Sequence, residues 1–190
     1  MGLNPGNNPV DTIIAAWEWG TYLGKEGLEK GIRCKISSWA RLDSRISPPL
    51  AKSTANYLNS ALAKREALSC GFDEAILLNV NGTIAEGPGE NIFMVKDNKL
   101  ISPDLDACLD GITRSKVLEI CRSNAIPAFE ADFGLEDVKS ADEAFVTGTF
   151  AGLTPVVMFD GEPMGNGSRG PMCERLQNLY IELIRSECGG

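Results

Sequence analysis

The stretch EAILLNVNGTIAEGPGENIFMVKDNKLI, residues 74–101, decides the fold. Residues 74–80 are a compact apolar run suited to a strand. Asn81-Gly82 is the strongest short hairpin signal, because the favoured two-residue turn needs positive φ at its centre. Residues 83–86 return along the partner strand. Gly87-Pro88-Gly89 then breaks the chain, residues 91–96 alternate as a strand, Asp97-Asn98 turns it, and Leu100-Ile101 pairs back. Antiparallel hairpins of this kind, set among helical segments, predict a mixed α/β (α+β) sheet rather than a doubly wound parallel one.

Outward from this stretch, residues 1–9 are turn-rich and predict a loop. Residues 10–17 (VDTIIAAW) predict a strand, and a turn at 18–20 leads through a short connection ending at Gly31 to a second strand at 32–38. Residues 43–49 predict a loop. Between 56 and 70, Leu58, Ala61, Leu62 and Leu68 recur at helical spacing, and Gly71 can end that helix in a left-handed conformation. A second helix is expected over 114–124, with Thr113 as its N-cap and Val117, Ile120 and Cys121 on its inner face. Strand, short helix and strand follow at 127–133, 135–140 and 143–147, and another strand at 156–159. The last helix spans 171–187, with Pro171 in its first turn and Met172, Leu176, Leu179, Tyr180, Leu183 and Ile184 as its inner stripe.

Composition narrows the chemistry. The 190 residues carry 18 Lys and Arg against 26 Asp and Glu, a net charge of −8, and no histidine. That balance offers no electrostatic footprint for nucleic acid or an anionic membrane. Without imidazole, Ser-His-Asp and Cys-His nucleophile pairs and histidine-bearing zinc sites are excluded. The six cysteines form no C-x-x-C pair, so idle thiols in a reducing cytoplasm are expected, with no membrane span and no metal.

Four segments carry candidate chemistry: Lys52 in PPLAKSTANYLNS, Glu86 in AEGPGENIF, LDGITR at 109–114, and TGTFAGLTP at 147–155. Singly, each has an ordinary explanation: a solvated lysine, a turn, a helix cap. Together, in this order, they resemble the fold-type IV pyridoxal-phosphate aminotransferases, and within them the branched-chain amino acid aminotransferases. GNGSRGP at 165–171 matches that family's turn before its last helix. The resemblance runs over residues 4–185.

The resemblance implies a class IV C-terminal domain, a mixed sheet curled into a pseudo-barrel with flanking helices, holding pyridoxal 5'-phosphate. It makes Lys52 the residue that joins the cofactor aldehyde and then carries the proton between substrate Cα and the cofactor. A lysine does this when desolvation or nearby positive charge frees its amine near neutrality. Glu86 would face the pyridine nitrogen and keep it protonated; Glu90 is the competing carboxylate, to which the family pattern gives a structural role. Tyr57 would donate to the phenolate oxygen, and Leu109 would pack on the ring. Gly111, Ile112 and Thr113, at a helix start, would bind the phosphate with their free N–H groups, joined by the Thr149 hydroxyl. The backbone at Phe150 and Ala151, beyond Thr149, would meet the substrate carboxylate, and Trp19 in AAWEWGTYLG would wall the aliphatic side-chain pocket.

The same resemblance sets Met1 near the end of a preceding small domain, so that residues 1–30 are its remnant and the interdomain connection, and 31–190 the complete cofactor-binding domain. An arginine that clamps the phosphate, and the tyrosine and arginine residues completing the substrate pocket, then have no counterpart here. The implied function is amino transfer between Leu, Ile or Val and 2-oxoglutarate, impaired in this short chain. The alternatives are a D-amino acid aminotransferase or aminodeoxychorismate lyase relative, and an inactive self-associating fragment. The partners implied are an amino acid and a 2-oxo acid, with a homodimer or larger homo-oligomer and no nucleic acid.

Overall fold

A computed structural model describes residues 4, 6, 8–18, 20, 22–106 and 108–188. In chain order the elements are α1 (Gly24–Lys30), β1 (Ile32–Ile36), a single 3-10 turn at Thr54–Asn56, α2 (Tyr57–Ser69), β2 (Glu74–Leu78), β3 (Ile84–Glu86), β4 (Asn91–Lys96) and β5 (Lys99–Ser102). Then come α3 (Ile112–Ser123), β6 (Ala128–Glu130), α4 (Leu135–Lys139), β7 (Glu143–Gly148), β8 (Gly152–Phe159), β9 (Glu162–Pro163) and α5 (Pro171–Cys188). The strands join in one mixed sheet, ordered β3-β2-β1-β8-β7-β4-β5-β6 with β9 beside β8, and this sheet curls into a half-barrel. Pairings of β1 with β2 and β8, and of β5 with β6, are parallel; the others are antiparallel.

Both faces of the sheet are covered, and the two-residue period of β4 shows it. Ile92 and Met94 enter one core with Ile32, Ile76, Val146, Val156 and Phe159. Phe93 and Val95 enter the other, beneath α3 and α5, with Phe145, Leu153, Val117 and Leu176. Phe93 and Phe145 are register partners whose rings stack with centroids 5.2 Å apart. A strand buried on both sides reads as a continuous apolar run, which is why NIFMV carries no polar interruption after its first residue. The Asp97-Asn98 turn holds, with φ 51° and 58°. At Asn81-Gly82 only the glycine is left-handed (φ 88°), and the turn is wider than two residues, β2 ending at Leu78 and β3 starting at Ile84 with a register shift between Leu77 and Leu78.

Several expectations are corrected. Residues 10–18 form no strand; they run as irregular chain with Val10, Ile13 and Ile14 about nine-tenths exposed, since no neighbouring strand among the described residues satisfies their backbone groups. The supposed connection to Gly31 contains α1, whose four-residue GKEG start disguises it; Gln177 Nε2 on α5 donates to Leu28 O at 2.9 Å and holds it in place. On α2 the apolar residues face out: Leu58 and Leu68 are exposed, while Asn59, Ser60, Ala63 and Ala67 are buried. Small residues let α2 lie close on Ala75 and Leu77 of β2, and the polar pair faces the cavity loop. The N-cap of α3 is Gly111, two residues ahead of the expected Thr113. On α5, Cys173 and Leu176 form the buried contact and Ile184 points outward. β8 begins at Gly152, so TGTFAGLTP is the β7–β8 hairpin rather than a loop before a strand. Among the described residues all six cysteines are free, no helix is long and apolar enough to cross a membrane, and no cluster could hold a metal ion.

Candidate active site

A cavity of about 300 Å³ opens where the loop after β1, the start of α2, the end of β3, the start of α3 and the β7–β8 turn meet. Nine of the residues singled out in the sequence line it: Lys52, Tyr57, Glu86, Glu90, Leu109, Gly111, Ile112, Thr113 and Thr149. Phe150 and Ala151 do not; the Phe150 side chain is exposed and Ala151 is buried, its carbonyl accepting from Thr154 Oγ1 at 2.7 Å. Trp19 lies outside the described residues.

Lys52 is presented by a stapled loop. The buried Asn56 donates from Nδ2 to Pro48 O (3.3 Å) and Ala51 O (3.1 Å) and accepts from Ser47 Oγ. The chain then enters the 3-10 turn, capped by Ser53 Oγ, and α2. This geometry brings Lys52 and Tyr57 together: Lys52 Nζ donates to Tyr57 Oη at 2.9 Å.

Glu86, at the end of β3, is buried with both carboxyl oxygens engaged. Its Oε1 meets Arg41 Nη2 at 2.6 Å, and its Oε2 accepts from Leu109 N (3.0 Å) and Asn91 Nδ2 (3.2 Å). Burial pushes its carboxyl up to about 7, against the pull of the Arg41 guanidinium. Glu90, in the wall of the same cavity, is bonded into a different set of partners. Its Oε2 accepts from Gly89 N, and its carboxyl hydrogen-bonds that of Glu74, which Lys64 Nζ pairs at 2.7 Å. Burial, and for Glu90 the neighbouring Glu74 charge, raise both above the usual carboxylate range.

The start of α3 is an open donor site. Gly111 has no side chain to cap the first N–H groups, and a Cβ there would come within 2.1 Å of Asn91 Oδ1. Buried Arg114 anchors the preceding loop, donating from Nε to Ser102 Oγ (3.0 Å) and from Nη2 to Pro103 O and Glu130 Oε1. Beside the cavity, Thr147 Oγ1 is buried with no hydrogen-bond partner among the described residues. A buried hydroxyl in that state, beside uncapped helix donors, a lysine amine and a buried carboxyl, fits an anionic aromatic cofactor that fills the space.

Sequence reasoning missed Arg41, Asn91 and Thr147. Arg41 sits in a loop without a motif, and Asn91 reads only as the first residue of a strand. A readable trace of the polar environment was the Ser60, Ala63, Ala67 spacing of small residues on α2.

The family model described as amino-transferase class IV matches residues 2–159. The branched-chain-amino-acid aminotransferase of Pseudomonas aeruginosa is 45% identical over 184 residues, covering 97% of this chain and 60% of that protein. The enzyme of the same name from Escherichia coli K12 is 42% identical over 189 residues, covering 98% and 61%. The crystal structure of the Escherichia coli enzyme superposes with a TM-score of 0.87 over 89% of this chain and 56% of that one, at 42% identity. The T.th. branched-chain amino acid aminotransferase, solved with pyridoxamine 5'-phosphate, gives 0.84 over 88% and 55%, at 44% identity. The chain thus spans about 60% of the length of the curated relatives it matches.

Proposed function

The chain belongs to the class IV amino-transferases, and from that membership we propose that it is a branched-chain amino acid aminotransferase acting through pyridoxal 5'-phosphate. The observation that carries this reading is a single cavity lined by Lys52, Tyr57, Glu86, the α3 start and Thr149. Fold, relatives and the residue types in the cavity all support it.

When bound, the cofactor supplies an electron-poor ring that stabilises the electron pair left on substrate Cα after its proton is removed. The chain's own residues do the rest. Lys52 Nζ would hold the cofactor through its aldehyde carbon and, once the substrate amine had taken that place, would be the base that moves the proton between substrate Cα and that carbon, across the intervening nitrogen. Its contact with Tyr57 Oη, at 2.9 Å, orients the amine. Glu86 would hold a proton at the ring nitrogen; its tethering by Asn91 and Leu109 N keeps the carboxyl in the wall of the cavity. Glu90, bound to Glu74 and Gly89 N, supports the turn instead. The N–H groups at Ile112 and Thr113, the helix dipole and the Thr149 hydroxyl would hold the phosphate. The Phe150–Ala151 backbone, outside the cavity lining, and Trp19 would meet the substrate only where it extends beyond the cofactor.

Residues 31–190 serve in this reading as the cofactor-binding domain and 1–30 as the end of a small domain. The exposed apolar side chains at Val10, Ile13 and Ile14 favour a homo-oligomer, a dimer or larger. Six free thiols suit the cytoplasm. The same exposed segment favours, as a second reading, a self-associating cofactor-binding fragment with little turnover.

The test is a visible spectrum of the purified chain with added pyridoxal phosphate, followed by leucine and 2-oxoglutarate. A new long-wavelength band that changes on adding leucine, with glutamate formed, is expected. A band that leucine leaves unchanged selects the fragment reading, and the absence of a band overturns cofactor binding.

A further inference from the structure

Arg41 is 8% exposed, in a loop where no motif announces it. A guanidinium that cannot be deprotonated must be paired when buried. Its pairing is built from two elements. Nη2 meets Glu86 Oε1 of β3 at 2.6 Å, and Nη1 reaches Ser60 Oγ at 3.3 Å and Asn59 Oδ1 at 3.5 Å on α2. The backbone beneath it is fixed as well: Arg41 N donates to Leu78 O, and Asn59 Nδ2 donates to Ala40 O at 2.9 Å. This explains the inverted face of α2. Asn59 and Ser60 are turned inward, in place of leucines, to hold a cation against the end of β3.

We infer that Arg41 is a positioning residue that keeps Glu86 ionised and fixed in the cavity wall, so that the proton shared with a bound ring nitrogen resides on the ring and not on the carboxyl. The inference rests on the reading of Glu86 as the ring's partner. Its physical basis is a competition at one carboxyl. Burial favours the neutral acid, which would donate a hydrogen bond to a ring nitrogen. Arg41 opposes this at contact distance, with Lys52 as the second positive charge facing Glu86; Glu90 and Cys108 face it too, and Glu90 adds repulsion when ionised. The fork of an arginine is needed because one group must reach a carboxylate and two α2 acceptors at once.

The test reads Glu86 directly in the cofactor-free chain. Carboxyl 13C resonances are followed against pH, with Glu86→Gln identifying the signal. Arg41→Gln is expected to raise the Glu86 midpoint by about one pH unit or more. Arg41→Lys, which keeps the charge but not the fork, should restore the midpoint only in part. Ser60→Ala, which loosens the guanidinium without removing it, should move the midpoint the same way by less, and it serves if Arg41→Gln fails to fold. An unchanged midpoint in a folded variant, shown by circular dichroism, overturns the inference. Adding pyridoxal phosphate to the unsubstituted chain separates the two readings. A Glu86 resonance that ignores the cofactor overturns the ring-partner role of Glu86 and this use of Arg41 with it, even where the midpoint shift is seen.

Discussion

Gly111 and Asn91 are packed so closely that a Cβ on the glycine would lie 2.1 Å from Asn91 Oδ1. The other end of the same amide donates to Leu109 O at 2.7 Å and to Glu86 Oε2 at 3.2 Å. One side chain therefore ties the carboxyl wall of the cavity to the helix start that would bind phosphate. The φ of Gly111 is −71°, open to any residue, so space and not backbone conformation demands the glycine.

Gly111→Ala should destabilise the chain by about 1–3 kcal/mol through overpacking. Added to Asn91→Ala, it should cost less than the sum of the two, by roughly 0.5 kcal/mol or more, because the clash partner is gone. Urea unfolding of the four proteins measures this. Strict additivity would show that the two residues do not meet.

Lys52 should be the site of covalent attachment. Borohydride reduction after adding pyridoxal phosphate, followed by peptide mapping, is expected to label Lys52 in the 48–60 segment. A label shared among surface lysines, such as Lys30 or Lys99, would remove the basis of the proposed function.

Exchange of the Cα proton of leucine should discriminate the two buried glutamates. Glu86→Gln is expected to suppress exchange on the order of a hundredfold, the scale of losing one well-placed electrostatic contact. Glu90→Gln should affect it much less, since its carboxyl is engaged by Glu74 and Gly89 N. Deuterium incorporation read by NMR gives the ranking, and the reverse order would reassign the ring partner.

Stability should fall as pH rises through neutrality. Burial raises Glu86 to about 7 and raises Glu74 and Glu90 as well, from a starting value of 4.5. Between that value and the folded one, the native state binds more protons than the unfolded state. The stabilisation is therefore complete on the acid side of the window and is lost as pH climbs, by up to about 1.4 kcal/mol per pH unit for each carboxyl. Carboxyls held low, such as Asp73 beside Arg33, act only below this range. Urea midpoints at pH 5 to 8 should decline, and Glu90→Gln should flatten the decline. A profile rising toward pH 8 would contradict the buried-carboxyl account.

Local chemistry was legible along the chain. The DN turn declares itself through φ, the unbroken apolar run of NIFMV marks β4 as buried between two cores, and Gly71 at φ 79° ends α2 as expected. Lys52, Tyr57, Glu86 and the GIT segment are legible because each lies in a contiguous string, and the cavity gathers all of them. What tertiary structure decided was orientation and long-range pairing. Which face of α2 turns inward was settled by Arg41 and β2, which lie outside the helix. Arg41 acquired its meaning only when parallel pairing of β1 with β2 brought its loop beside the end of β3. Residues 10–17 carry the composition of a strand, yet a strand exists only where a neighbour accepts its hydrogen bonds, and among the described residues none does. Periodicity and turn chemistry are properties of a segment. A buried charge or a strand edge is a property of what the fold sets against it.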